Sequence, residues 1–152
     1  MNEHIELITK YFMAGYNCCQ SILMTYGPQY GLEKETAARL GAGMGGGLGH
    51  TGHVCGFISG AVLLLGLSEG DFDPNDNERK METVEKSAAF LDQCREVLGH
   101  IECQELIQCK IRTREQLGQA LAKGKMNQCG STFIQEIVRL LDEKYLKKQG
   151  KH

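Results

Sequence analysis

Residues 54–67, VCGFISGAVLLLGL, form the longest apolar run of the chain and decide its fold. As a helix this run spans about 21 Å, which is shorter than the roughly 30 Å hydrocarbon layer of a membrane. Its small residues, among them Gly56 and Gly60, permit close packing of the backbone. The run therefore predicts a buried helix of a globular domain and not a membrane span.

The length and charge of the chain favour one ordinary domain without a nucleic-acid partner. A chain of 152 residues buries a sizeable core without needing disulfides. Its formal net charge is -2, and the 17 basic and 19 acidic residues are spread along the sequence, so no basic face is evident. The first ten residues lack the apolar core of a secretory signal. We expect a cytoplasmic protein that does not bind membranes.

Apolar residues recur at helical spacing through most of the sequence, beginning with Ile5, Ile8 and Phe12. We find no period-two alternation long enough for a confident strand, and no repeat or long linker. These features predict one all-α domain over residues 1–152, a helical bundle with a glycine-rich loop. After a first helix that ends before Gly15, the predicted helices cover residues 17–26, 33–40, from 51 or 53 to 66, 103–109, 113–123 and 131–147. A long helix is also predicted, which follows an exposed connection over residues 68–77 and is ended by Gly99.

Several local signals support these boundaries. Asn17 and Gln20 form a predicted capping box, Gly27-Pro28 ends the second helix, and Thr51 or His53 begins the buried one. The long helix ends at Gly99, and its predicted core stripe is Met81, Val84, Ala88, Leu91, Cys94 and Leu98. The predicted buried face of the last helix is Ile134, Ile137, Val138, Leu141 and Tyr145.

Seven cysteines are a high count for an apparently cytosolic chain, where such residues are more often catalytic or metal-binding than cross-linked. Four of them lie at or just before a predicted helix start: Cys18, Cys55, Cys103 and Cys129. Helix N-termini favour thiolate over thiol, so we expect lowered pKa values there. Because the sequence has no C-x-x-C pair, spacing alone identifies no chemistry, and buried packing is the alternative for each cysteine. Cys19, Cys94 and Cys109 fit helix interiors or a neighbouring turn better.

The segment from Gly41 to Gly49 is too rich in glycine to continue regular structure. It contains G-x-G-x-x-G at Gly41, Gly43 and Gly46, but no predicted strand precedes it, so a tight loop is favoured over a nucleotide site. His50 and His53 flank the loop and are candidates for imidazole ligands or a proton-transferring base.

Five motifs together resemble one known family, the C_GCAxxG_C_C family of redox-active proteins. They are Gly15-Tyr-Asn-Cys18, Gly45-Gly-Gly-x-Gly49, Cys55-Gly-x-x-x-Gly60-Ala61, Cys103-x-Glu-Leu106 and the late Cys129. The resemblance runs from about Met1 to Leu141. It implies an all-helical protein whose four working cysteines, as redox groups or metal ligands, are Cys18, Cys55, Cys103 and Cys129. It also implies a set of glycines at the cofactor-binding site, namely Gly45, Gly46, Gly47, Gly49, Gly56 and Gly60.

Two residues depart from the family pattern. Phe57 stands where a small residue is usual, and this ring either narrows the space beside Cys55 or shields it from solvent. Cys19 occupies a usual alanine position and makes a vicinal pair, whose disulfide would be strained. Either Cys18 or Cys19 is therefore the working sulfur.

Three functions from different classes remain open on the sequence. The leading prediction is an iron–sulfur cluster or other metal centre for electron transfer, with an electron-transfer protein as partner, because four thiolates match the usual ligand count. The alternatives are a thiol–disulfide redox protein and a helical binding or scaffold protein whose cysteines only pack. A homodimer is possible, and the reaction, the substrate and whether the chain is an oxidoreductase stay open.

Overall fold

The computed structural model describes residues 2–146, and these residues form an all-α fold. Within them no β-strand occurs, although Val54 and Glu102 form one isolated antiparallel bridge. No helix in this range is both long enough and apolar enough to cross a membrane. The helices are α1 (Glu3–Met13), α2 (Cys18–Tyr26), α3 (Lys34–Gly41), α4 (Gly56–Ser68), α5 (Asn77–Leu98), α6 (Cys103–Ile107), α7 (Arg114–Ala122) and α8 (Ile134–Leu140).

Three tighter or wider helical turns complete the fold. A 3-10 turn, Gly27–Tyr30, follows α2, and π-helical turns, Cys129–Phe133 and Leu141–Tyr145, precede and follow α8. The predicted last helix is thus one continuous rod with two wide turns, and its predicted end at residue 147 lies outside the described residues. Its predicted buried face is confirmed, since these side chains are at most 5% exposed: Ile134, Ile137, Val138, Leu141 and Tyr145.

The buried helix α4 packs closely on α2 because small residues line the contact. A methyl group added at Gly60 would lie 2.5 Å from Cγ2 of Ile22, and one added at Gly56 would lie 3.0 Å from Cβ of Cys18. Side chains of α4 that fill the core include Phe57, which is fully buried. The two glycines therefore set the distance between α2 and α4, and with it the position of Cys18.

The predicted start of α4 at Thr51 or His53 is wrong, because α4 begins at Gly56 with Cys55 as its N-cap residue. The Thr51 hydroxyl donates to the carbonyl oxygens of Gly47 and Leu48, so it closes the preceding loop and does not cap a helix. This shift places Cys55 at the helix N-terminus itself.

The predicted core stripe of α5 is wrong over its first half. Met81 and Val84 are 53% and 59% exposed, and Ala88 is also exposed. In the second half the prediction holds for Cys94, which is fully buried. On the same helix, the Lys86 ammonium lies 3.2 Å from a carboxylate oxygen of Glu69, the C-cap residue of α4, and both side chains are partly buried.

The carboxylate of Asp142 joins the two ends of the described chain to α2. Its oxygens accept hydrogen bonds from the Asn2 amide (2.8 Å) and the buried Tyr26 hydroxyl (2.7 Å), and one lies 3.0 Å from Nδ1 of His4. Burial opposes ionisation of Asp142, but the hydrogen bonds from His4, Asn2 and Tyr26 outweigh it and hold the pKa of Asp142 below its ordinary value.

We expect Asp142→Asn to lower the free energy of unfolding by about 1–2 kcal/mol at pH 7, because an amide replaces a charged acceptor. Since the folded pKa is lowered, the ionised carboxylate stabilises the fold above about pH 4, and this contribution is lost as the pH falls through the folded pKa. Urea unfolding should therefore show a difference between wild type and variant that shrinks from pH 7 to pH 3. Asp92→Asn, at a side chain that is 79% exposed, is the matched control and should differ little from wild type at either pH.

Candidate functional site

Cys18 is the first residue of α2 and is fixed by the cap of that helix. The predicted capping box is confirmed, with the Asn17 side chain accepting from the Gln20 N–H and the Gln20 side chain accepting from the Asn17 N–H. The Asn17 amide also donates to the carbonyls of Gly41 (3.0 Å) and Ala42 (3.2 Å). The cap thereby ties Cys18 to the glycine-rich segment, a link that no sequence motif indicated.

Cys55 is the N-cap residue of α4, so its carbonyl accepts from the N–H groups of Ile58 and Ser59, both at 2.9 Å. Its sulfur lies over the helix N-terminus and receives hydrogen bonds from the N–H groups of Phe57 and Ile58. The Ile58 N–H is shared with the Cys55 carbonyl, whereas the Phe57 N–H is one of the amides that a helix start offers to an anionic group.

Cys103 is the first residue of α6 and is positioned by the backbone that precedes Cys55. The Cys103 N–H donates to the His53 carbonyl (2.6 Å), and the Cys55 N–H donates to the Ile101 carbonyl (2.8 Å). This two-way pairing, which includes the bridge between Val54 and Glu102, holds the two cysteine-bearing segments side by side.

Cys129 begins the π-helical turn that leads into α8, and its N–H donates to the Met126 carbonyl (3.1 Å). The ring of Phe12 lies 3.5 Å from where a methyl group at Gly130 would be, and it packs on the ring of Phe57 at a centroid distance of 5.6 Å. Phe57 is thus a core residue that contacts Phe12, whose ring lies beside Gly130, the residue after Cys129.

The structure brings the four cysteines within electrostatic range of one another, and each is buried, with 4–7% exposure. Burial raises the pKa of Cys18 well above its ordinary value, and thiolates at Cys55, Cys129 and Cys103 raise it further. Burial also raises the pKa of Cys103 and of Cys129 to about 12, again with repulsion from Cys55. Ionising one sulfur therefore makes the others harder to ionise.

The expectation that helix N-termini lower these pKa values is wrong, because the pKa values of all four cysteines are raised. At Cys55 burial raises the thiol pKa, and the N–H donors of Phe57 and Ile58 only partly offset it. At Cys18 one N–H donor, from Gly46, acts against burial and three neighbouring thiols. Loss of hydration outweighs one or two hydrogen bonds, because a thiolate in the core has no water around it. In the metal-free protein these groups are therefore neutral thiols.

The remaining cysteines surround the four without joining them. Burial raises the pKa of Cys19 to about 11, while a hydrogen bond with Ser59 lowers it and the charge of Cys55 adds to the rise. Cys94 is fully buried, and its pKa of about 12 is raised first by burial and then by Cys55. Cys109 is half-buried and lies near enough to Cys103 to raise its pKa. Of the vicinal pair, Cys18 is the residue that interacts with all three other family cysteines.

The glycine loop makes a left-handed turn of five consecutive residues, in which Gly46, Gly47, Leu48, Gly49 and His50 all have φ between +58° and +72°. L-residues normally adopt this conformation singly, so such a run requires glycine at most positions. This turn contributes one hydrogen bond to the four cysteines, from the Gly46 N–H to the Cys18 sulfur. His50 lies half-buried in the turn and His53 is exposed.

Of the six glycines predicted at a cofactor site, five are positions where protein groups approach closely. An added methyl group would meet Asn17 at Gly45, His50 and Ile111 at Gly46, and the backbone of His53 at Gly47. At Gly56 and Gly60 it would meet α2, whereas at Gly49 it would meet nothing within 4 Å. At these five positions glycine therefore permits close packing of neighbouring segments.

The four cysteines offer only sulfur donors to a metal group. A single zinc ion needs its thiolate ligands about 2.3 Å from one centre, and among residues 2–146 no three Cys, His, Asp or Glu side chains are arranged to hold one ion. An iron–sulfur cluster places several iron and sulfide atoms between its thiolates, so its ligands need not converge on one atom. The four thiols are buried, and backbone N–H groups donate to three of the sulfurs, those of Cys18, Cys55 and Cys129.

Each buried thiol should make the metal-free protein less stable in alkali. The unfolded thiol has a pKa of about 8.5, so the stability that a raised folded pKa confers is complete below that pH and is lost as the pH rises. For Cys103, with a folded pKa of about 12, the loss between pH 7 and pH 9 is roughly 0.8 kcal/mol. Urea unfolding in a reductant should show that Cys103→Ser loses less stability over this range than wild type, by that amount. Gly49→Ala, which keeps every thiol, should follow the wild-type pH dependence, and a Cys103→Ser curve parallel to wild type would contradict the prediction.

Comparison with known proteins identifies a family. A family model described as "Putative redox-active protein (C_GCAxxG_C_C)" matches residues 16–144. No curated protein and no solved structure is significantly similar to the chain. The matched range includes all four cysteines and the left-handed turn.

Proposed function

Because the chain belongs to the C_GCAxxG_C_C family of redox-active proteins, we propose that it transfers electrons at an iron–sulfur cluster held by Cys18, Cys55, Cys103 and Cys129. The observation that carries the proposal is the electrostatic coupling of Cys18 to the other three cysteines, which come from separate parts of the chain. An electron-transfer protein is the corresponding partner.

The charge balance of the pocket favours a cationic centre. Burial raises the pKa values of Cys18, Cys103 and Cys129, and the charges of neighbouring cysteines raise them further, so four thiolates together are costly here. Iron ions supply the positive charge that makes four thiolates compatible in a low dielectric, because ligand thiols bind as thiolates. The same pocket without such charge keeps its thiols protonated.

An iron–sulfur cluster supplies one-electron redox chemistry when it is bound. The residues of this chain act on the charge of its ligands. The N–H groups of Phe57 and Ile58 donate to the Cys55 sulfur, and the N–H of Gly46 donates to the Cys18 sulfur. Hydrogen bonds to thiolate ligands stabilise the more negative, reduced state and so raise the reduction potential.

Anaerobic reconstitution tests the proposal. The purified chain is incubated with iron and sulfide under a reductant and desalted, and bound iron, sulfide and visible absorption are measured, followed by electron paramagnetic resonance of the reduced sample. We expect iron and sulfide to be retained in equal amounts together with a charge-transfer absorption. A colourless, iron-free product, from protein that stays folded by circular dichroism, would rule the proposal out.

A second candidate function, thiol–disulfide exchange, is favoured by the two N–H donors on Cys55. These donors partly offset the rise in the pKa of Cys55 that burial causes, and the added methyl position of Gly56 lies only 3.0 Å from Cβ of Cys18. Oxidation of the Cys55 and Cys18 thiols to one disulfide would pass two electrons and two protons to a disulfide-bearing partner, which is reduced to two thiols. All seven cysteines are free thiols in this structure.

A glutathione redox titration with mass spectrometry separates the two candidates. Thiol–disulfide chemistry predicts that the thiols of Cys18 and Cys55 are oxidised together in the metal-free protein. The potential at which this happens should be the same in Cys94→Ser. If the two thiols are alkylated independently at every potential, the second candidate fails, whatever the reconstitution shows.

A further inference from the structure

A cleft of about 390 Å³ opens beside the left-handed turn, on residues that neither redox hypothesis uses. Its volume falls within the roughly 300–1,000 Å³ of small-molecule sites. The described residues that line it include no carboxylate. The polar ones are His50, Thr51, Gln104, Lys110, Arg112, Thr113 and Gln116.

The two cations of the cleft have no acidic partner. Lys110 and Arg112 are both exposed, and neither has a carboxylate within ion-pair distance among residues 2–146. Other exposed basic residues of the described chain, such as Arg95 and Arg139, do lie near carboxylates. Two unpaired cations that line one cleft raise its potential and attract an anion.

Neutral hydrogen-bond donors stand beside the cations. At the N-terminus of the nine-residue helix α7, Gln116 uses its side-chain oxygen to accept from the Thr113 N–H (3.1 Å), which leaves the amide NH₂ group for another acceptor. The Thr113 oxygen accepts from the Gln116 N–H (3.0 Å), which leaves its own hydroxyl hydrogen to donate. Arginine and amide donors together suit the oxygens of a phosphate or carboxylate.

The walls of the cleft are fixed by close backbone contacts. The Gln104 N–H donates to the Gly52 carbonyl (3.2 Å), and a methyl group at Gly52 would lie 2.7 Å from Cβ of Gln104. On the other wall, Gly46 packs against His50 and Ile111 so tightly that a side chain would not fit. The cleft is therefore formed before a ligand arrives.

We propose that this cleft binds a small oxyanion, a phosphate or carboxylate group, through Lys110, Arg112 and the amide of Gln116. The bound anion lies next to the redox site, because Gly46, which contacts two lining residues, donates its N–H to the Cys18 sulfur. Binding itself needs none of the cysteines, so it stands or falls independently of the proposed cluster.

Nuclear magnetic resonance titration of the ¹⁵N-labelled chain tests the site. Inorganic phosphate and, in a second arm, acetate are added at constant ionic strength, with chloride as the reference. At least one of the two should cause saturable shifts at the amides of Thr51, Lys110, Arg112 and Gln116, and the arm that saturates identifies the recognised group. Lys110→Met/Arg112→Gln should weaken binding at least about tenfold, since it removes two charge-assisted contacts.

The matched control removes two cations outside the cleft. Arg114→Gln/Lys123→Met changes net charge by the same amount and should keep the wild-type affinity. Equal weakening in both double variants would show attraction by net charge alone and overturn the proposal. Shifts that grow linearly with both anions, as with chloride, would overturn it as well. Retained binding in Cys55→Ser, by contrast, is expected even if the cluster proposal fails.

Discussion

Replacing Gly47 with alanine is expected to lower the free energy of unfolding by at least about 3 kcal/mol, because two separate costs add. Gly47 has φ +72°, a conformation that costs an L-residue about 1–2 kcal/mol. The added methyl group would also collide with the backbone N and O of His53 and would lie 2.8 Å from the Gly52 carbonyl carbon. Those are main-chain atoms and cannot move aside as a flexible side chain would.

Gly49→Ala is the control, since it lies in the same turn and its added methyl group meets nothing within 4 Å. With φ +58° it should carry the conformational cost alone, about 1–2 kcal/mol. Urea unfolding followed by circular dichroism gives both values. Equal losses in the two variants would show that the contact with His53 is unimportant.

The same contact links the turn to the cysteines. The His53 carbonyl accepts the Cys103 N–H at 2.6 Å, so displacing His53 also displaces the start of α6. Gly47→Ala should therefore reduce the yield of iron reconstitution even under conditions where the variant remains folded, and Gly49→Ala should not.

The sequence could predict those parts of the fold that local chemistry determines. The capping box of Asn17 and Gln20 and the end of α5 at Gly99 both follow from the preferences of single residues for helix ends, and the structure has them. The four cysteines at helix starts were found in the same way. Local signals suffice there because each end is satisfied within three or four residues.

The errors arise where distant contacts decide. The apolar pattern of α5 favours a stripe through Met81 and Val84, but both side chains are exposed, while Lys86 of the same helix forms a partly buried ion pair with Glu69. The left-handed turn is another case, because glycine content indicates freedom but not five consecutive positive φ values. The pKa of Cys55 is a third, since burial by distant segments outweighs the helix N-terminus that the sequence reveals.

Replacing Cys55 with serine is expected to abolish retention of iron and sulfide. Cys55 is electrostatically coupled to Cys18, Cys103 and Cys129. Its N–H and its carbonyl both make backbone hydrogen bonds, so a small shift of the backbone cannot compensate for the loss of its sulfur. A serine hydroxyl ionises far less readily than a thiol and is a poor replacement for a thiolate ligand of iron. We expect the reconstituted Cys55→Ser protein to lose the visible absorption and the reduced-state resonance signal.

Cys94→Ser is the matched control, because Cys94 is also buried and also lies near Cys55 but is outside the group of four. It should retain iron and the spectrum of wild type while losing some stability, since a hydroxyl replaces a thiol in a core position. The double variant tests whether Cys94 substitutes as a ligand: if Cys55→Ser keeps iron and Cys55→Ser/Cys94→Ser loses it, the ligand set is flexible. If the double variant retains iron fully, Cys55 is not a ligand, and its buried sulfur serves only to pack the core.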